Sequence, residues 1–253
     1  MSDAFREAAR PPGGSARRPG VRSGPWRFLG AVVRWTFLLI FGFVAVSVIL
    51  VLLIGWTGPP TTLNMVLRAA EGVPVSRTWA DLKDISPHLV RAVIASEDTR
   101  FCEHDGFDLV ELEKAIRDAR RGRGLRGAST ISQQTAKNVF LYNGGGFVRK
   151  ALEAWFTVLV EAMWTKPRIM EVYLNVAEWG DGAYGAEAAA RKRFSTSADK
   201  LSQKQAARLA AVLPSPNRWK VTGGYARRQG GRIEAKMRLV RRDGLDSCVI
   251  AAR

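Results

Sequence analysis

Apolar residues along this chain form one long unbroken run and then a series of short stripes at helical spacing. No charged residue occurs between Trp35 and Trp56, where Leu, Ile, Val and Phe dominate. Further on, Leu89, Val90, Val93 and Ile94 recur as one helix face does, with Pro87 near the start. Leu109, Leu112 and Ile116 mark a second stripe. Leu152, Trp155, Phe156, Leu159 and Met163 mark a third. Ile169, Val172, Tyr173 and Val176 continue it after Pro167, a residue suited to a first helical turn. Residues 186–190 and 203–212 are alanine-rich and favour helix. Alternating apolar and polar positions are scarce. The pattern predicts an all-α domain, with at most a short hairpin within 63–77.

The long run reads as a membrane span. A helix of its length covers ~33 Å, against a hydrocarbon core of ~30 Å. Trp35 and Trp56 stand at its ends, as interfacial aromatics do. A cleaved signal peptide is the alternative, but the run is long for one, and Gly55-Trp56-Thr57-Gly58 is a poor cleavage site. Seven arginines precede the run against Asp3 and Glu7, which keeps that side cytoplasmic. The expected organisation is a basic, disordered cytoplasmic tail over 1–27 and a transmembrane anchor over 28–57. A folded domain over 58–222 lies outside the membrane, followed by a basic C-terminal tail over 223–253.

The formal net charge is +16, and 32 of the 39 basic and 21 of the 23 acidic residues lie beyond the span. A basic domain outside the membrane points to anionic headgroups and lipid-linked phosphates rather than nucleic acid. The excess concentrates at 117–126 and 227–242, the latter opposed only by Glu234. Either stretch could be a solvated face or a contact for lipid or phosphate; for 227–242 a solvated, frayed tail is the simpler reading. Cys102 and Cys248 have no zinc spacing. They could form one disulfide in an oxidising compartment, but two unpaired thiols are the expectation. Gly122, Gly124 and Gly127 fit G-x-G-x-x-G but follow a basic helical stretch instead of a strand. Ser197 and Lys200 fit S-x-x-K, yet no K-T-G follows and too little chain remains. His88 and His104 without G-x-S-x-G leave a serine-hydrolase triad unsupported.

Three polar segments carry the candidate chemistry. At 96–106 the helical stripe breaks into a charged turn, with Glu97 and Asp98 where the preceding helix should end. The partial negative charge of a helix C-terminus would raise the pKa of a carboxylate there and make it a better base; a solvated acidic turn is the plain alternative. At 127–138, Ser129, Thr130, Gln133, Gln134 and Asn138 surround one cation, Lys137. They could hold a sugar or a phosphate, or simply cap and solvate a helix. Arg149, Lys150 and Glu153 then meet on one helix face. They form either a surface ion-pair cluster, worth ~0.5 kcal/mol per pair, or a cationic site for pyrophosphate with its carboxylate partner.

In this order the segments resemble the first motifs of the peptidoglycan glycosyltransferases of family 51. Glu97, Asp98, Phe101, His104 and Gly106 match E-D-x-x-F-x-x-H-x-G. Residues 127–138 match G-x-S-T-I-x-Q-Q-x-x-K-N, and Arg149, Lys150 and Glu153 match R-K-x-x-E. Residues 166–175 match K-x-x-I-L-E-x-Y-L-N, 178–190 continue it, and 210–216 close with A-x-L-P-x-P. Lacking a transpeptidase domain, the chain is similar to the monofunctional biosynthetic branch. The resemblance implies a lysozyme-like, two-lobed, all-α glycosyltransferase domain whose smaller lobe dips into the membrane. It implies polymerisation of lipid II, with inversion, onto a glycan carried by undecaprenyl pyrophosphate. Glu97 is then the general base, and Glu153 the second catalytic carboxylate, which positions cations or assists the departing phosphate. Asp98, Ser129, Thr130, Gln133, Gln134, Lys137, Asn138, Arg149 and Lys150 bind substrate. No cofactor is required; a divalent cation, Mg or Mn, and other cell-wall synthases are compatible additions. Membrane lipids are expected contacts, at the cytoplasmic membrane of a bacterium.

Three positions depart from the pattern. Gly145 stands where the monofunctional branch usually has an arginine, with Arg126 as a nearby substitute; Met170 replaces a leucine and Arg193 a tyrosine. Two rival readings remain. A lytic glycosidase would need a carboxylic acid at its leaving oxygen and no cluster of cations. A non-catalytic, membrane-tethered scaffold would need neither Glu97 nor Glu153.

Overall fold

The computed structural model describes residues 25–122 and 129–251, so residues 1–24 of the tail expected over 1–27, and Arg123 and Arg126, lie outside the described residues, while 25–27 open a helix. The chain divides into two compact units, 1–45 and 46–253. Helix α1 (Pro25–Thr57) starts in the first. Its segment Phe28–Thr57 is long and apolar enough to cross a membrane. In the second unit the end of α1 is part of the core. Val51 is buried, and its carbonyl accepts a hydrogen bond from Trp164 Nε1 at 2.9 Å. Gly55 permits that approach, since a Cβ there would lie 2.3 Å from the indole nitrogen.

Helix α2 (Leu63–Ala70) opens at Thr62, whose hydroxyl accepts from Met65 N–H. Strand β1 (Ser76–Arg77) pairs in parallel with β2 (Ala183–Tyr184). The hairpin expected within 63–77 is therefore absent: its first half is helical and its second half pairs with a distant strand. Helix α3 (Pro87–Glu97) begins with Ser86 accepting from His88 N–H, and buries Leu89, Val90, Val93 and Ile94 completely. Asp108 caps α4 (Leu109–Arg120), accepting from Val110 and Glu111 N–H. The apolar stripe of α4 is a surface: Leu109, Val110, Leu112 and Ile116 are exposed and only Ala115 is buried.

Helices α5 (Ile131–Phe140), α6 (Phe147–Met163) and α7 (Lys166–Val176) pack together. After α8 (Ala186–Phe194) and α9 (Gln203–Val212), helix α10 (Gly224–Arg242) lies on α9 and α3, and short α11 (Ser247–Ile250) reaches α7. Two expectations are corrected here. The stretch 227–242 is no frayed tail: Ala226, Gly230, Ile233, Met237 and Val240, three or four residues apart, bury one face and turn the arginines outward. Cys102 and Cys248 are disulfide-bonded, not free. The C-terminal helices fold back over α3 and bring their Cα atoms to 5.6 Å across a sequence separation of 146.

Candidate active site

Glu97 is the last residue of α3. Burial of the α3 stripe fixes the helix, and its end delivers Glu97 to a cavity of about 220 Å³ bordered by Ser96, Thr99, Ser129 and Thr130. Gln134 Nε2 donates to Glu97 Oε2 at 3.0 Å. Tyr173, buried on α7, donates its hydroxyl to Gln134 Oε1 at 3.3 Å and so fixes which end of the amide faces Glu97. Burial, with Glu97 and Asp98 nearby, holds the Tyr173 pKa well above its ordinary value and keeps it a donor. Burial also pushes the Glu97 carboxyl above the usual range; Gln134, Ser96 and Lys137 pull the other way, and Asp98 adds to the rise. The direction is the one expected from position, but the main cause is loss of water rather than the helix end.

Asp98 is turned into the fold. Its carboxylate accepts from Ile131 N–H, at the start of α5, at 3.0 Å and meets His104 Nε2 at 3.0 Å. An acid at a helix N-terminus is favourably placed. Thr130 and Gln133 form a capping box: Thr130 Oγ1 accepts from Gln133 N–H, and Gln133 Oε1 accepts from Thr130 N–H. The Thr130 hydroxyl donates to Gly106 O at 2.6 Å. Polar atoms of Asp98, Thr130 and Gln133, expected to bind substrate, are thus used in building the turn. Gly106 (φ +90°) seats that turn on α6, where a Cβ would lie 2.8 Å from Thr157 Cγ2.

Gln134, Lys137 and Asn138 share one face of α5, at i, i+3 and i+4. Facing Lys137 is the first part of α6. Arg149 Nη1 donates to Glu153 Oε2 at 2.6 Å, and Lys150 Nζ donates to Oε1. Glu153 is 3% exposed. Burial lowers the Lys137 pKa, Glu153 and Glu97 oppose that, and Arg149 and Lys150 reinforce it. Lys137 therefore stands in the field of both carboxylates, Glu97 on one side and Glu153 of the cation cluster on the other. Arg149 Nε–H has no acceptor among the described residues. Gly145 has φ +81°, and a Cβ there would lie 3.1 Å from Arg149 Cβ, so the family's arginine does not fit this backbone without a shift.

Reading Tyr173 as core alone misses its hydroxyl's link to Gln134; the signal was a polar atom where leucine would fill the stripe equally well. Other residues of the fourth motif hold the frame. Lys166 Nζ donates to Glu161 Oε1 at 2.8 Å and to His104 O at 2.5 Å. Asn175 Oδ1 accepts from Ala80 N–H, and Glu171 Oε2 accepts from Leu82 N–H, both at 2.9 Å. Arg193, at the third departing position, pairs with Asp181 at 2.9 Å.

Asp98, His104 and Asp108 bring one ligand-type atom each within 4.8 Å of one another. They do not fit a divalent cation. Asp98 already faces an amide and an imidazole nitrogen, and Asp108 Oδ1 accepts two amides and meets Arg100 at 3.4 Å.

The sequence pattern of the transglycosylase family matches residues 64–240. A biosynthetic peptidoglycan transglycosylase of Caulobacter vibrioides is 52% identical over 226 residues, covering 88% of this chain and 99% of that protein. One from Rhodospirillum centenum is 52% identical over 77% of this chain and 86% of its own length. One from Pseudomonas aeruginosa is 48% identical over 83% and 94%. Because the match takes in the turn at Glu97, the capped helix behind it and the cation cluster on α6 together, the chain belongs to the transglycosylase family.

Proposed function

We propose that this protein is a peptidoglycan glycosyltransferase that polymerises lipid II into β-1,4-linked glycan in cell wall synthesis, with inversion and release of undecaprenyl pyrophosphate. One observation carries the reading: a half-buried carboxylate of raised pKa opens on a polar cavity, while Lys137 lies in its field and in that of a cluster of cations. Glu97 takes the proton from the 4-hydroxyl of the acceptor's N-acetylglucosamine. The freed oxygen attacks the anomeric carbon of the donor's N-acetylmuramic acid, opposite the pyrophosphate. The leaving group is already anionic and needs charge more than a proton. Lys137, Arg149 with its unpaired Nε–H, and Lys150 supply that charge, and Glu153 holds the last two in register. Ser129, Gln134 and Asn138 border the reacting sugars. A divalent cation is proposed only as a companion of the diphosphate, and no step is assigned to it.

Helix α1 is proposed to anchor the enzyme in the bacterial cytoplasmic membrane, N-terminus inside. The exposed apolar stripe of α4 supports contact with lipid. A second reading, glycan cleavage, has the raised pKa of Glu97 in its favour, since a hydrolase needs a protonated acid. The cation cluster is what favours synthesis. Glu97→Gln protein assayed on lipid II tests the proposal: glycan formation should fall about 10²–10⁴-fold. Undiminished synthesis removes Glu97 from the role, and shortening of added strands by the wild type favours cleavage.

A further inference from the structure

A second cavity, of about 150 Å³, lies at the end of α3 opposite Glu97 and is lined by His88, Arg91, Gln203, Met237, Arg238 and Arg241. None of these residues belongs to the motifs, and the mechanism above uses none of them. The charge is one-sided. Arg91 is neutralised by Asp246 at 2.7 Å. Arg238 and Arg241 are exposed and have no carboxylate partner among the described residues. Burial, with the fields of Arg91 and Arg241, holds the His88 imidazole below its ordinary pKa, so the Arg241 cation, which has no such partner, acts on the space that His88 borders. The partial positive charge of the α3 N-terminus adds to them.

The two cavities share two helices. Ser96 and Glu97 of α3 and Lys236 of α10 border the first; His88 and Arg91 of α3 and Arg238 and Arg241 of α10 border the second. The stretch from His88 to Glu97 rises ~14 Å along α3. A polymer leaving the first cavity along α10 meets the second within that distance. The apolar face of α10 is buried, so the side left to such a polymer is basic. The end of α1 seats on Trp164 and Arg168, which do not border this cavity, so a bilayer headgroup is the less favoured ligand.

We propose that this basic cavity binds carboxylates of the elongating glycan strand, an inference that rests on the polymerase reading. Peptidoglycan strands carry carboxylates on their lactyl-linked peptides, and the guanidinium fork suits that group. Strand held here is less readily lost between additions.

The test uses the full chain in detergent, with Arg238→Ala/Arg241→Ala beside the wild type and an Arg238→Lys/Arg241→Lys control. Binding is measured to three probes: a soluble carboxylate-bearing glycan fragment, inorganic pyrophosphate, and vesicles of anionic phospholipid. Fragment affinity should fall about tenfold in the alanine variant, with partial recovery in the lysine control, and product strands should shorten. Because both side chains are exposed, the melting temperature should hold. Unchanged fragment affinity and strand length overturn the proposal, as does a loss confined to pyrophosphate or vesicles. A wild type that makes no glycan sinks the polymerase reading instead, and the fragment-binding arm still decides the anion site.

Discussion

Glu97, half-buried at a cavity, and Glu153, buried on α6, are both carboxylates partly or wholly shielded from water, yet their surroundings are opposite. Glu97, at the end of α3, has one neutral amide donor at 3.0 Å, and its charge partner Lys137 stands off without a hydrogen bond to it. Glu153, in the second turn of α6, has a cation on each oxygen. A base has to keep some affinity for a proton, and incomplete neutralisation with burial provides that. A carboxylate that holds two cations in place needs the reverse. The roles proposed for the two carboxylates follow this difference in their neighbours.

The largest effects should separate the pair by what is lost. Glu97→Gln should abolish most synthesis while leaving the melting temperature and donor affinity close to the wild type. Glu153→Gln leaves Arg149 and Lys150 without their shared partner. Breaking a buried pair costs about 3 kcal/mol, discounted somewhat because Lys150 is half exposed. Its melting temperature and its affinity for the donor diphosphate should both fall. Equal thermal stability for the two variants would break the comparison.

The difference between these carboxylates was only partly legible in the sequence. Spacing alone put Arg149, Lys150 and Glu153 on one face, because i, i+3 and i+4 neighbours meet whatever the tertiary fold. The stripes of α3, α6 and α7 were legible for the same reason. Spacing could not show that the Asp98 carboxylate accepts from Ile131 N–H while its neighbour Glu97 takes the Gln134 amide, since both partners come from α5, more than thirty residues further along the chain. Nor could it pair Cys102 with Cys248, or see that the basic stretch 227–242 hides an apolar face, because the partners of α10 lie far back in the chain.

The disulfide gives the next effect. It ties Cys102, in the turn beside Glu97, to α11, and Cys102 Sγ also lies 3.1 Å from Leu245 O. The Glu153 cluster has no such tether. Cys102→Ser/Cys248→Ser protein should lose about 2–5 kcal/mol of stability. In what remains folded, kcat should drop more than donor affinity, because the turn loosens and the cations stay. A matched loss of both would mean that the bridge supports the whole domain rather than the Glu97 side of it.

The smallest effects concern the donors behind Glu97, and their sign is fixed. With Glu97 as the proposed general base, activity should fall as pH drops through a pKa that burial has raised above the ordinary carboxylate range. The Gln134 amide favours the ionised form. Removing it in Gln134→Ala should raise that pKa further and move the acidic limb of kcat/KM to higher pH, by about one unit. Tyr173→Phe frees the amide to turn without deleting it, so the limb should move the same way by less. Neither change touches Glu153, and the affinity for the diphosphate should hold in both. A limb that moved to lower pH in Gln134→Ala would mean that the amide stabilises the protonated acid. Glu97 would then be better suited to giving a proton than to taking one, and the balance would shift from synthesis toward cleavage.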